Sequence, residues 1–188
     1  MVSITLLPLR ELLPHETVSA ARVEAVARSI LEAGRVFRPL IVDESTGLIV
    51  DGHHRYHALS ALGARLAPAL LVDYSVEIPA PYPPVIRLGL GSLEEAAERI
   101  ESMAARGRHR IVLELGGERL TLYRDPYEAY HALRSLEGPG PVVARPDPLP
   151  KPTVASLAGR GMVLPAKSTI HPTPLKSLFY PTRLSLLY

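Results

Sequence analysis

The most constraining stretch of the chain is 38–55. Two apolar runs, Arg38 to Asp43 and Leu48 to Asp51, flank Glu44-Ser45-Thr46-Gly47, and the second run passes without interruption into Gly52-His53-His54-Arg55. A short polar connection ending in glycine predicts a hairpin, because glycine takes the positive φ such a turn requires. Residues 53 to 62 then carry Tyr56, Leu59 and Leu62 at helical spacing, with Gly63 as the stop. A strand that turns directly into a helix leaves backbone N–H groups pointing outward at the helix N-terminus, where the macrodipole also favours negative charge. The turn suits a phosphate.

Around it the pattern is a mixed α/β (α+β) chain. Residues 3 to 9 predict a strand and Leu12 to Glu16 a loop. Val23, Val26, Ala27, Ile30 and Leu31 predict a helix over 19–33, capped by Ser19 and ended by Gly34. Ala67 to Asp73 predicts a further strand, and Pro79-Ala80-Pro81-Tyr82-Pro83-Pro84 is a stiff connector that closes a core spanning 1–78. A smaller α/β subdomain is expected over 85–137, with a helix at 92–106, strands at 110–115 and 118–123 joined by Gly116-Gly117, and a helix at 126–136. Residues 138–158 read as a Pro/Gly-rich linker, and 159–188 as a C-terminal segment without periodicity.

Composition narrows the chemistry. The 188 residues contain no cysteine, which removes disulfides, thiolate metal sites and a cysteine nucleophile together. The net charge is +2 and the basic residues are scattered rather than gathered in a run, which argues against a nucleic-acid partner and is equally suited to a phosphorylated small molecule. No apolar run reaches the roughly 18 to 20 residues of a membrane span, and the N-terminus lacks the features of a signal peptide. A cytoplasmic protein without a membrane partner is therefore expected; its oligomeric state is not legible.

Within the turn, Gly52 allows close backbone approach, Arg55 can grip phosphate oxygens with its fork, and His53 and His54 add donors. Asp51 cannot itself bind phosphate. It either holds a magnesium ion that does, orients a histidine, or simply caps the helix. Glu16 is on these grounds either a reacting carboxylate or a solvated loop residue, and Arg38 either a substrate contact or a surface arginine.

Ile49-Val50-Asp51-Gly52-His53-His54-Arg55, followed by Ala58-Leu59 and Leu62-Gly63-Ala64, resembles the nucleotide box of the ParB/sulfiredoxin superfamily. Ser29-Ile30 with Gly34, and Arg38-Pro39-Leu40-Ile41-Val42, are similar to the segment just upstream of that box. Within the superfamily the chain looks like the free L-serine kinases of the SerK type. Pro14-His15-Glu16 resembles their loop with the catalytic glutamate and Val72-Asp73-Tyr74 their strand after the box. Gly161-Met162-Val163, Lys167-Ser168-Thr169 and His171 resemble their C-terminal substrate-contacting segment.

The resemblance implies a ParB/sulfiredoxin-like nucleotide-binding core with a smaller α/β appendage and a C-terminal segment folding back to complete the site. It implies phosphoryl transfer from ATP or ADP to the hydroxyl of free L-serine, giving O-phospho-L-serine for serine and cysteine biosynthesis, as in the archaeal members. Glu16 and Asp51 would be catalytic; Asp51, Gly52, His53, His54 and Arg55 would hold the nucleotide phosphates, with Asp51 on magnesium. Arg38, Lys167, Ser168, Thr169 and His171 would bind serine. The sequence departs from the family where Ile170 replaces an arginine, Ser168 a threonine, and Pro81-Tyr82 a tryptophan.

The other uses of the box fit less well. Sulfiredoxin chemistry needs a cysteine at the position of His53. A ParB-like nucleotide-dependent DNA-binding protein or nuclease, the alternative reading, needs a helix-turn-helix where this chain has a proline connector and a Gly-Gly hairpin. Zinc on His53, His54 and His57 would lack the glutamate of the zincin pattern.

Overall fold

The computed structural model describes residues 4 to 188. The chain divides into two compact units: the first runs to Ala80 and resumes at Lys151–Ala166 and His171–Tyr188, and the second comprises Pro81–Pro150 and Lys167–Ile170.

The first unit starts with β1 (Ile4–Pro8) and the amphipathic helix α1 (Ala20–Ala33), which Gly34 ends in the left-handed region at φ 60°. A two-residue β2 (Arg35–Val36) follows, then the hairpin of β3 (Leu40–Asp43) and β4 (Ile49–Asp51), helix α2 (His53–Ala61) and β5 (Leu66–Val72). The sheet order is β1-β5-β3-β4. β5 lies parallel to β3 and antiparallel to β1: β4 already returns the chain to the starting end of β3, where Asp51 pairs with Ile41, and α2 provides the connection before β5 begins. Val42, Ile49, Leu59 and Ala69 are fully buried in one core beneath α1 and α2. Burying one such leucine or isoleucine is worth about 1.5–3 kcal/mol. That core fixes where β4 ends and where α2 begins.

The second unit contains β6 (Ile86–Arg87), α3 (Leu93–Met103), β7 (Arg106–Leu115), β8 (Glu118–Arg124), α4 (Pro126–Ser135) and β9 (Val143–Pro146). Its antiparallel sheet has the order β6-β9-β7-β8, and Ile111, Leu113 and Leu122 bury against Ala96, Ile100, Ala129 and Leu133 of the two helices. Ser92 and Asp125 cap α3 and α4, each accepting a backbone N–H from the third residue on.

Residues 138–158, expected as linker, instead hold β9 and the helix α5 (Lys151–Gly159). Four residues are too few to display a period, and proline normally argues against an interior strand. Pro146 is tolerated because β6 pairs only with Val143 and Ala144, so beyond them β9 has a single neighbour, β7. The helix predicted to 106 stops at Met103, and its last expected residue opens β7.

The tail returns to the first unit. β10 (Thr182–Arg183) pairs antiparallel with β2, and Leu184 and Leu187 enter the core there. The Leu187 carbonyl accepts the backbone N–H of Arg65 at 2.7 Å. The expected C-terminal segment folding back on the core is present in this form. Among the described residues, no helix is long and apolar enough to cross a membrane.

Candidate functional site

The strand-to-helix turn is built on Gly52, whose φ of 105° no L-residue adopts easily. A Cβ there would lie 2.6 Å from the Leu40 side chain and 3.0 Å from the Arg55 guanidinium, so glycine is required by space as well. No side chain caps α2, and its first-turn N–H groups end in the glycine turn. A nine-residue helix that starts uncapped at the end of a buried strand is an anion-accepting terminus.

Arg55 is held on two sides. Its Nη2 donates to Asp51 Oδ2 at 2.7 Å, and its Nη1 donates to the Pro39 carbonyl at 2.8 Å. Burial lowers its pKa, Asp51 opposes this, and the charge of nearby Arg38 adds to the lowering. The guanidinium therefore ties α2 to β4 and to the residue before β3, rather than standing free as a phosphate grip. Asp51 also faces Lys176 Nζ, 3.7 Å from Oδ1.

His53 turns inward. Its Nε2 accepts the backbone N–H of His15 at 3.3 Å and lies 3.2 Å from His15 Nδ1. The His15 ring meets His53 edge-on at 4.6 Å between centroids and His171 at 5.7 Å. His171 Nε2 is hydrogen-bonded to the Tyr74 hydroxyl at 2.7 Å, and Lys151 Nζ lies 5.3 Å from the centre of the Tyr74 ring. Lys151 itself donates to the carbonyls of Ser75 and Ile78.

This is a buried cluster of neutral imidazoles. Burial pushes His15 down to about 4, partly opposed by a hydrogen bond with the Ile49 backbone. Burial, then the neighbouring His15, Lys176 and Lys151, push His171 down to about 3. Burial also lowers His53 well below its usual value, helped by His15, His57, His171 and His54. Tyr74 is driven upward by burial and by the carboxylates of Asp43 and Glu16, so its hydroxyl stays protonated.

Glu16 follows His15 directly. Its strand-like segment pairs with Leu164: Leu164 N–H donates to the His15 carbonyl and Thr17 N–H to the Leu164 carbonyl, both at 2.8 Å. The loop carrying Glu16 is thus set against the box through His15 and against the 161–166 segment through Leu164. Asp43 anchors Tyr74 from below, accepting its backbone N–H at 2.9 Å while also accepting from Ser45, Thr46 N–H and the Thr46 hydroxyl. Burial alone would raise the Asp43 pKa, but the Ser45, Thr46 and Tyr74 bonds outweigh it and hold the carboxyl below its usual value.

The first unit therefore gathers Glu16, Asp51, Gly52, His53, Arg55 and His171. His54 stands in the first turn of α2, half-buried, with an Nε2 that is enclosed and has no hydrogen-bond partner. Arg38 is exposed beside Pro39. Lys167, Ser168 and Thr169 belong to the second unit. There Lys167 takes a positive φ of 62° and its carbonyl accepts from Arg134 at 3.2 Å, while Ser168 and Thr169 are buried. Two of the three departures from the family pattern are neighbours in that unit, because Tyr82 and Ile170 exchange backbone hydrogen bonds at 2.9 and 3.1 Å. Sequence reasoning passed over His15, Tyr74, Lys151 and Lys176 as site residues. For His15 and Tyr74 the signal was present, since each stood in a quoted segment; Lys151 and Lys176 carried none.

Among the described residues there is no group of three His, Cys, Asp or Glu side chains able to hold a metal. Asp51 alone still fits magnesium, which commonly takes one protein carboxylate and completes its shell with water and nucleotide phosphates.

No family model matches the chain. An ATP-dependent L-serine kinase of Staphylothermus marinus is 34% identical over 112 residues, 56% of this chain and 43% of that protein. The ADP-dependent L-serine kinase SerK of Thermococcus kodakarensis is 33% identical over 107 residues, 53% of this chain and 43% of that protein. The match thus spans less than half the length of either relative. A free serine kinase variant solved in complex with AMP superposes with a TM-score of 0.77 at 23% identity, covering 100% of this chain and 94% of the other. The two share a fold, and the likeness to free L-serine kinases read from the box is borne out by the names of these relatives.

Proposed function

We propose that this chain phosphorylates the hydroxyl of free L-serine, taking the phosphoryl group from ATP or ADP and releasing O-phospho-L-serine. The observation that carries the reading is the uncapped N-terminus of α2 at Gly52, flanked by Asp51 and reached through His15 by the loop bearing Glu16. An anion-accepting terminus beside a carboxylate is what transfer to an alcohol needs. The names of the relatives supply the acceptor and the donor.

A serine hydroxyl is too weak an acid to ionise at neutral pH, so a carboxylate must receive its proton. Glu16 takes that role. The serine Oγ forms a bond to the terminal phosphorus as the bond to the bridging oxygen breaks, the nucleotide leaves one phosphate shorter, and the proton passes to Glu16. Such transition states are loose, so most of the acceleration comes from in-line positioning and charge neutralisation. The α2 amides and Gly52 seat the phosphates, with His54 beside them. His53 and Arg55 act by holding the box in shape. Magnesium, when bound on Asp51, supplies further neutralisation of phosphate charge. Arg38, Lys167, Ser168, Thr169 and His171 are assigned to serine by the family pattern, with neutral His171 fixed by Tyr74.

The test is incubation with magnesium, L-serine and either nucleotide, followed by phosphorus NMR. O-Phosphoserine with one donor supports the reading, and no product with either refutes it.

A further inference from the structure

We infer that Lys176 is the mobile cation of this site, moving from Asp51 to the nucleotide phosphates beyond the first. The inference rests on the kinase reading only in assuming that an adenine nucleotide occupies the α2 terminus. Among the described residues, Arg22 and Arg38 act on the box from outside it, and three further cations, Arg55, Lys151 and Lys176, contact the box or its histidine cluster. Arg55 is committed to Asp51 at 2.7 Å and to the Pro39 carbonyl at 2.8 Å. Lys151 is committed to the Ser75 and Ile78 carbonyls. Among the described residues, Lys176 has a single ion pair, to Asp51 Oδ1 at 3.7 Å, which lies beyond hydrogen-bond distance.

Its surroundings favour movement over a short range. The side chain is about two-fifths exposed (39%), and its ammonium sits on a four-carbon stem with rotatable donors. The backbone below it is fixed by a short turn over Pro174–Ser177, where the Thr173 hydroxyl accepts the Leu175 N–H at 3.2 Å. The same charge is felt by His171, so Lys176 lies near the histidine cluster as well as the box. Asp51 holds only a loose claim on it. A carboxylate that turns to a divalent cation releases its lysine, and the nearest new anions are the phosphates seated on α2.

Binding of AMP, ADP and ATP, each with magnesium, is measured by calorimetry on the full chain and on Lys176→Met and Lys176→Arg. Lys176→Met should bind ADP or ATP at least tenfold more weakly while AMP affinity stays within twofold, and Lys176→Arg should recover most of the loss. Phosphoserine formation should fall about a hundredfold in Lys176→Met. Unchanged ADP and ATP affinity overturns the inference, as does a loss shared equally by AMP, which would mark a structural role. A wild-type chain that binds none of the three also overturns it. A chain that binds nucleotide and shows the ADP or ATP loss, yet makes no phosphoserine, leaves Lys176 in place and removes the kinase reading instead.

Discussion

Nε2 of His53 accepts the backbone N–H of His15 and lies 3.2 Å from its Nδ1, so the first histidine of the box faces the loop that carries Glu16. The phosphate cradle and the proposed base are coupled through two neutral rings. His15→Ala removes the ring-to-ring link, while the backbone N–H that His53 Nε2 accepts remains; losing a buried side chain in this way costs about 0.5–3 kcal/mol. Glu16 would then be displaced, and misplacement of about 1 Å can cost about a hundredfold in rate. The expected result is a lower thermal midpoint together with a fall in kcat larger than any change in nucleotide affinity. A His15→Ala protein with native kcat would disconnect the cluster from the chemistry.

Glu16→Gln keeps size and burial but cannot take a proton. Turnover should fall by about 10²–10⁴ while the thermal midpoint and nucleotide affinity change little. Stopped-time phosphorus NMR on wild type and variant gives the ratio directly. Full activity in Glu16→Gln would move the base elsewhere.

Gly52→Ala should be costly, because alanine meets both a φ of 105° and the Leu40 side chain at 2.6 Å. The backbone strain alone is about 1–3 kcal/mol. Relief would require the turn to open, which misaligns the α2 amides. Chemical denaturation and AMP titration should therefore worsen together, and a variant stable as wild type with intact AMP binding would show that the turn does not seat phosphate.

The histidine cluster makes stability depend on acid. His15 and His171 titrate near 4 and 3 when folded, against an ordinary value of 6.5. Below pH 6.5 the unfolded chain binds protons that the folded chain does not, so stability is complete above that value and is lost as the pH falls towards 4 and then 3. Each group contributes a slope of up to about 1.4 kcal/mol per pH unit within its window. Urea unfolding at intervals from pH 7 to pH 4.5 should show this slope, and His171→Gln should flatten it. A wild-type slope unaffected by that substitution would assign the acid sensitivity to other groups.

The local elements were legible because their signals are local. Apolar runs on either side of Glu44-Ser45-Thr46-Gly47, and helical spacing after Gly52, define β3, β4 and α2 from neighbours a few residues apart. β9 was not, since four residues flanked by proline carry no period and its strand character comes from β7 beside it. The sequence by itself determined that a glycine turn would deliver Asp51 and the α2 amides to one place, because backbone sterics at Gly52 allow little else. Only the tertiary structure decided which way the side chains face. His15 meets His53 across 38 residues and Tyr74 meets His171 across 97. Such pairings depend on how the core packs, not on any pattern within a segment. That packing turned His53 inward, committed Arg55 to Asp51 and Pro39, and left Lys176 loosely held.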